Sequence, residues 1–156
     1  MSQSTSAVLS HQTSTYPKSK AFIIAAHIAR VILGLIFLVF GLNGFLHFIP
    51  MPPPTGTAAE FVYGLVKAHY FLPFMAFIQV ISGVLLLSGA YVPFALLLLF
   101  PITLNILFFH LDLAPAGLGM AVLIMAANIL LAIYYWPAYK PIFKIGNAWK
   151  NKNHKQ

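Results

Sequence analysis

The chain has 156 residues, 60% of them hydrophobic and 7% charged, whereas an ordinary soluble domain carries roughly 25% charged residues. Small soluble folds leave too much area in water to hide so much apolar surface, so the solvent around this chain is largely lipid. The formal charge of +7 does not indicate nucleic acid, because the basic residues flank the apolar runs, where topology signals and anionic-lipid contacts belong.

Residues 1–19 are rich in Ser, Thr and Gln and read as a disordered polar tail. No secretory signal is evident, since the first apolar run comes late and is too long for an h-region. That run, about residues 22–48, is long enough to span, a crossing helix needing about 20 apolar residues. His27 and Arg30 interrupt it; Arg30 is placed at the inner interface, where it can snorkel. Asn43 and His47, four residues apart, share a face of the predicted helix. Pro50, Pro52, Pro53 and Pro54 then stop the helix and set an extended path.

Thr57-Ala-Ala-Glu60 has the spacing of a capping box. It predicts a short helix from about Ala58 to His69, with Phe61, Leu65 and Ala68 on one face, lying across the mouth of the bundle. Three more spans follow at about 70–89, 92–111 and 117–136, with connections short enough to make these helices antiparallel neighbours. Pro101 predicts a kink in the third. Residues 138–156 form a basic tail. From Lys140 to Trp149 it mixes Lys with Phe143, Ile145 and Trp149, which suits the lipid surface.

Eight of the nine Lys and Arg residues lie in the N-terminal flank and C-terminal tail, counting Arg30; Lys67 is the ninth. Both termini are therefore expected in the cytoplasm, which requires an even number of spans. The expected fold is all-α: an integral membrane four-helix bundle in the cell (inner) membrane, with a short extracytoplasmic helix between spans 1 and 2. Tyr134, Tyr135 and Trp136 then form an aromatic anchor at the inner face.

Polar side chains inside lipid are costly without partners. Asn43, Gln79, Ser82, Thr103, Asn105 and Asn128 are such residues, and each span contributes an amide. They read either as interhelical hydrogen bonds or as the walls of a ligand pocket. The candidate ligand-binding residues are Asn43, His47, Gln79, Asn105, His110 and Asp112, with His69 also at the outer mouth. A metal site is not expected, since no ligand spacing such as HExxH is present. The absence of cysteine excludes thiol redox chemistry and cysteine-ligated clusters.

Arg30-x3-Gly34-x2-Phe37-x3-Gly41 in the first span and Gln79-x3-Gly83-x2-Leu86-x2-Gly89 in the second resemble two signatures of the DoxX/DoxD-like family of small bacterial membrane proteins. The resemblance covers roughly residues 22–137, and Asn43, His47 and the segment from Asn105 to His110 look like features of one subgroup. Gln79 stands where the second signature usually begins with Glu, which removes a titratable group from mid-membrane. The resemblance implies a likeness to a membrane subunit of thiosulfate:quinone oxidoreductase and to partners of redox or sulfur-stress enzymes. It also implies distant relatives that serve in maturation of other membrane or periplasmic proteins.

The expectation is therefore a membrane accessory subunit, more a support than an enzyme by itself. It works with a membrane or peripheral redox partner and binds a quinone or another small apolar ligand between its helices. A small oxidoreductase acting directly on quinone, an assembly factor and a small-solute transporter are the alternatives, and a homo-oligomer stays open.

Overall fold

Lys20–Leu46, Phe71–Ser88, Val92–Leu113 and Pro115–Tyr134 are long and apolar enough to cross a membrane. A computed structural model describes residues 19–142. The helices are α1 (Lys20–Leu46), α2 (Gly56–Lys67), α3 (Phe71–Ser88), α4 (Val92–Phe108) and α5 (Leu118–Tyr134). A π-helical turn, Phe109–Leu113, extends α4, and a 3-10 turn, Pro115–Gly117, leads into α5. Among the described residues there is no strand. The fold is the expected all-α membrane bundle.

The four spans close into a ring, α1 beside α3 and α5, with α4 between those two. Leu33, Phe37, Leu86, Leu99 and Leu131 fill the centre and are essentially fully buried. Ile24, Leu35, Phe74, Phe94, Val122 and Ile133 point outward, a surface that only hydrocarbon would solvate without penalty. α2 lies against α3 and the π turn. Its buried Ala58 and half-buried Val62 and Leu65 face the bundle.

Small residues set the distance between α1 and α3. A Cβ on Gly41 would lie 2.8 Å from the Val80 backbone nitrogen, and one on Gly83 2.7 Å from the Leu38 nitrogen. Backbone so close cannot yield, so even alanine would force the helices apart. Lipid gives apolar helix faces no hydrophobic reason to associate, so close van der Waals packing of this kind is what holds them.

Several expectations are corrected. The predicted capping box does not form: α2 starts at Gly56 with Thr55 as N-cap, and no side-chain cap bond is made. Gly56 takes φ 60°, which glycine permits without strain. The helix thereby begins ahead of Thr57, so that residue is no longer the cap. Arg30 does not snorkel outward. It turns across to α3, where its Nη1 donates to the Leu86 carbonyl at 3.0 Å, opposite the partial negative charge of that helix end. Gly89 closes α3 at φ 75°, and a Cβ there would stand 2.5 Å from Arg30 Nη1.

α4 runs on through Pro101. Residues 136–142 are again helical, and the Tyr139 hydroxyl donates to the Pro93 carbonyl at 2.9 Å. Burial pushes the Tyr139 phenol above its ordinary value. Trp136 is half exposed beside the edge-on pair Tyr134 and Tyr135. The expected polar tail and the interfacial residues Phe143, Ile145 and Trp149 lie outside the described residues.

Candidate functional site

The chain leaves α1 through a turn that Asn43 organises. His47 donates its backbone N–H to the Asn43 carbonyl as the last helical bond, and its φ of 52° ends the helix. The Asn43 side chain then reaches forward: Oδ1 accepts from the Ile49 N–H at 2.6 Å, and Nδ2 donates to the Ile49 carbonyl at 3.5 Å. Asn43 is buried while His47 is exposed. The predicted common face of Asn43 and His47 is therefore lost, because the helix stops before residue 47.

Behind this turn lies a cavity of about 410 Å³, within the range of small-molecule pockets, roughly 300–1,000 Å³. Phe37, Phe40 and Asn43 of α1 line it, with Gln79 of α3 and His110 of the π turn. Met51 from the exit segment and Met75, one turn before Gln79, add flexible thioether walls that can adapt to a ligand.

Gln79 is 7% exposed, and its carboxamide has no hydrogen-bond partner among the described residues. Neither of its polar atoms is sealed off, so both remain reachable from the cavity they line. A buried amide without a partner is costly, and a bound polar group would offset that cost. The Gln79 amide presents one acceptor and two donors.

His110 is held by one ring nitrogen. Its Nδ1 lies 2.8 Å from the Ala114 carbonyl; a carbonyl only accepts, so Nδ1 carries a proton, and Nε2 accepts whenever the ring is neutral. The π turn produces this arrangement, with the Ala114 N–H bonded to the Phe109 carbonyl five residues back at 3.0 Å. π turns frequently mark functional sites. Gly117 completes it, since a Cβ at that position would overlap the His110 ring.

A family model described as DoxX matches residues 25–112. The chain belongs to the DoxX family. Comparison with curated proteins and with solved structures returns no significant match. The DoxX match runs from within α1 through α4 and takes in every candidate site residue named from the sequence. Within it, Arg30, Gly41, Gly83 and Gly89 of the two signatures serve α1–α3 packing, whereas Gln79 faces the cavity.

The DoxX bundle brings Asn43, Gln79 and His110 together and leaves the other three candidates elsewhere. Asn105 is exposed rather than part of an inward polar layer; with Asp112 it lines a separate notch of about 340 Å³ at the rim. His47 and His69 are exposed, both at positive φ. Among the described residues no three His, Asp or Glu side chains converge as a metal site.

Interhelical amide bonding is also absent among the described residues. Asn43 bonds its own exit segment, the Thr103 hydroxyl donates to the Phe100 carbonyl on its own helix, and buried Ser82 Oγ and Asn128 Nδ2 have no partner. Sequence reasoning missed Met75, although its spacing of four from Gln79 puts both on one helix face. Met51 and Gly117 enter through the paths of the turns, for which spacing carries no signal.

Proposed function

We propose that this DoxX protein is an accessory subunit, not catalytic by itself, that holds a small lipophilic ring compound of the quinone class in the Gln79 cavity beside a redox partner. The unpartnered Gln79 amide carries this reading. Its NH2 suits a ring carbonyl, and the Nε2 lone pair of His110 suits a ring hydroxyl, so quinone and quinol each find a complementary group. Phe37, Phe40, Met51 and Met75 supply apolar walls. No cysteine is present, which excludes thiol redox chemistry, and this reading assigns the electrons to a partner that carries its own redox centre.

The flanking basic residues favour a cell (inner) membrane location with both termini cytoplasmic and α2 outside. The test is gentle extraction followed by solvent analysis of bound lipophilic compounds. Wild type is expected to retain a quinone in stoichiometric amount and Gln79→Leu to lose most of it. Equal retention by both proteins, or none by wild type, would count against the reading.

The Nδ1 anchor of His110 favours one second reading, a small oxidoreductase in which Nε2 takes the proton of a quinol hydroxyl while the quinol's two electrons pass to the redox centre of a partner. Full quinone-dependent turnover by His110→Ala in the reconstituted complex would remove it.

A further inference from the structure

The rim notch is a second site, separate from the Gln79 cavity. It lies at the end of the bundle that carries α2, and holds Asn105, Phe108, Phe109 and Asp112, faced by Phe61 of α2. The Phe61 and Phe109 rings sit 5.7 Å apart. Among the described residues neither the Asn105 carboxamide nor the Asp112 carboxylate has a hydrogen-bond or ion-pair partner. A carboxylate at the membrane surface is solvated by water. Asn105 is different, because it is exposed on a lipid-facing helix, where an unpaired amide costs free energy.

We propose that this notch binds an amine-headed phospholipid of the phosphatidylethanolamine type, with its ammonium at Asp112 and an ester carbonyl at Asn105. Seven residues separate the two positions, roughly 10 Å along the helix axis at about 1.5 Å per residue. The headgroup layer is roughly 5–7 Å deep in each leaflet, from a hydrocarbon core of about 30 Å inside a bilayer of about 40–45 Å. With Asp112 at the outer edge of the headgroups, Asn105 lies roughly 3–5 Å inside the hydrocarbon boundary, from where its side chain reaches toward the ester groups. The phenylalanine rings between them face the glycerol and upper acyl carbons, and their π faces also favour a nearby cation.

Charge selects the headgroup. Glu60 and Asp112 are the two acidic residues of the chain, both at this end, and Lys67 is the single Lys or Arg between residues 31 and 139. An anionic headgroup meets repulsion at Asp112, whereas a primary ammonium donates hydrogen bonds to it. A basic side chain from a soluble partner could reach Asp112 but would leave Asn105, deeper in the bilayer, unsatisfied. A phospholipid satisfies both.

The experiment reconstitutes the full chain in vesicles of equal phosphatidylethanolamine and phosphatidylglycerol, extracts it gently and counts retained lipids by native mass spectrometry. Wild type is expected to enrich phosphatidylethanolamine about two- to fivefold, the scale of a partly exposed ion pair. Asp112→Asn should abolish the enrichment, Asp112→Glu should keep it, and Asn105→Leu should reduce it. Gln79→Leu should leave it unchanged, which separates this site from the cavity. Circular dichroism checks that each variant is folded. Equal retention of both lipids by wild type, or undiminished enrichment by Asp112→Asn, overturns the proposal.

Discussion

The Asn43 side chain holds the backbone of Ile49 from both sides, Oδ1 taking the N–H at 2.6 Å and Nδ2 giving to the carbonyl at 3.5 Å. A helix end buried in a membrane leaves carbonyl and amide groups that water cannot reach. Here one side chain satisfies both backbone groups of Ile49, just past the helix end, and so fixes the exit segment whose Met51 lines the cavity. Asn43→Leu is expected to lower stability by about 1–3 kcal/mol, the cost of leaving buried backbone groups unpaired. It should also expose Met51 and its neighbours to protease. Thermal unfolding in detergent and limited proteolysis read the two effects, and Asn43→Asp, which keeps the acceptor alone, should fall between.

The contact between Arg30 and Gly89 makes a second prediction. Gly89→Ala places a side chain at φ 75° and against the guanidinium, so it should cost about 1–2 kcal/mol from the backbone alone. Arg30→Gln removes the charge from the α3 terminus. If the two residues form one unit, the double variant should be less destabilised than the sum of the single variants, which a double-mutant cycle measures.

Close packing of α1 on α3 predicts that Gly41→Val and Gly83→Val destabilise strongly, by about 1–3 kcal/mol or more. Gly64→Val, where an added Cβ meets nothing within 4 Å, should be much milder. Thermal unfolding of the three variants in the same detergent provides the comparison.

Much of this architecture is legible in the sequence, because lipid imposes simple rules: span length, apolar composition and the arginine and glycine signatures identify the bundle and its family. The site is only partly legible. Gln79 stands out as an amide in an apolar run, but whether an amide faces a cavity, a neighbour or lipid depends on helix rotation. Asn105 shows this, being as conspicuous in sequence as Gln79 and yet facing outward. His47 fails for another reason: its own left-handed backbone ends the helix, so a spacing of four no longer means a shared face. The π turn that orients His110 arises from how α4 meets α5, which periodicity along α4 does not encode.

Tyr139 gives a pH prediction. Burial raises its folded-state value above the ordinary one near 10, so above pH 10 the folded chain keeps a proton that the unfolded chain loses. Stability should therefore fall as pH rises from 10 through the folded value. Tyr139→Phe should remove this part of the slope. It should also lose about 1 kcal/mol at neutral pH with the bond to the Pro93 carbonyl. Denaturation followed from pH 8 to 11 checks both.

The proposed function rests on a polar ring entering the Gln79 cavity. Calorimetric titration of the purified protein with a short-chain quinone, wild type against Gln79→Leu and Gln79→Glu, tests it most directly. Wild type is expected to bind saturably at one to one, with a loss of about fivefold to a hundredfold in Gln79→Leu, equivalent to about 1–3 kcal/mol for a buried hydrogen bond. Gln79→Glu, protonated in the cavity, should retain part of the affinity. Undiminished affinity in a folded Gln79→Leu, or no saturable binding by wild type, would contradict it.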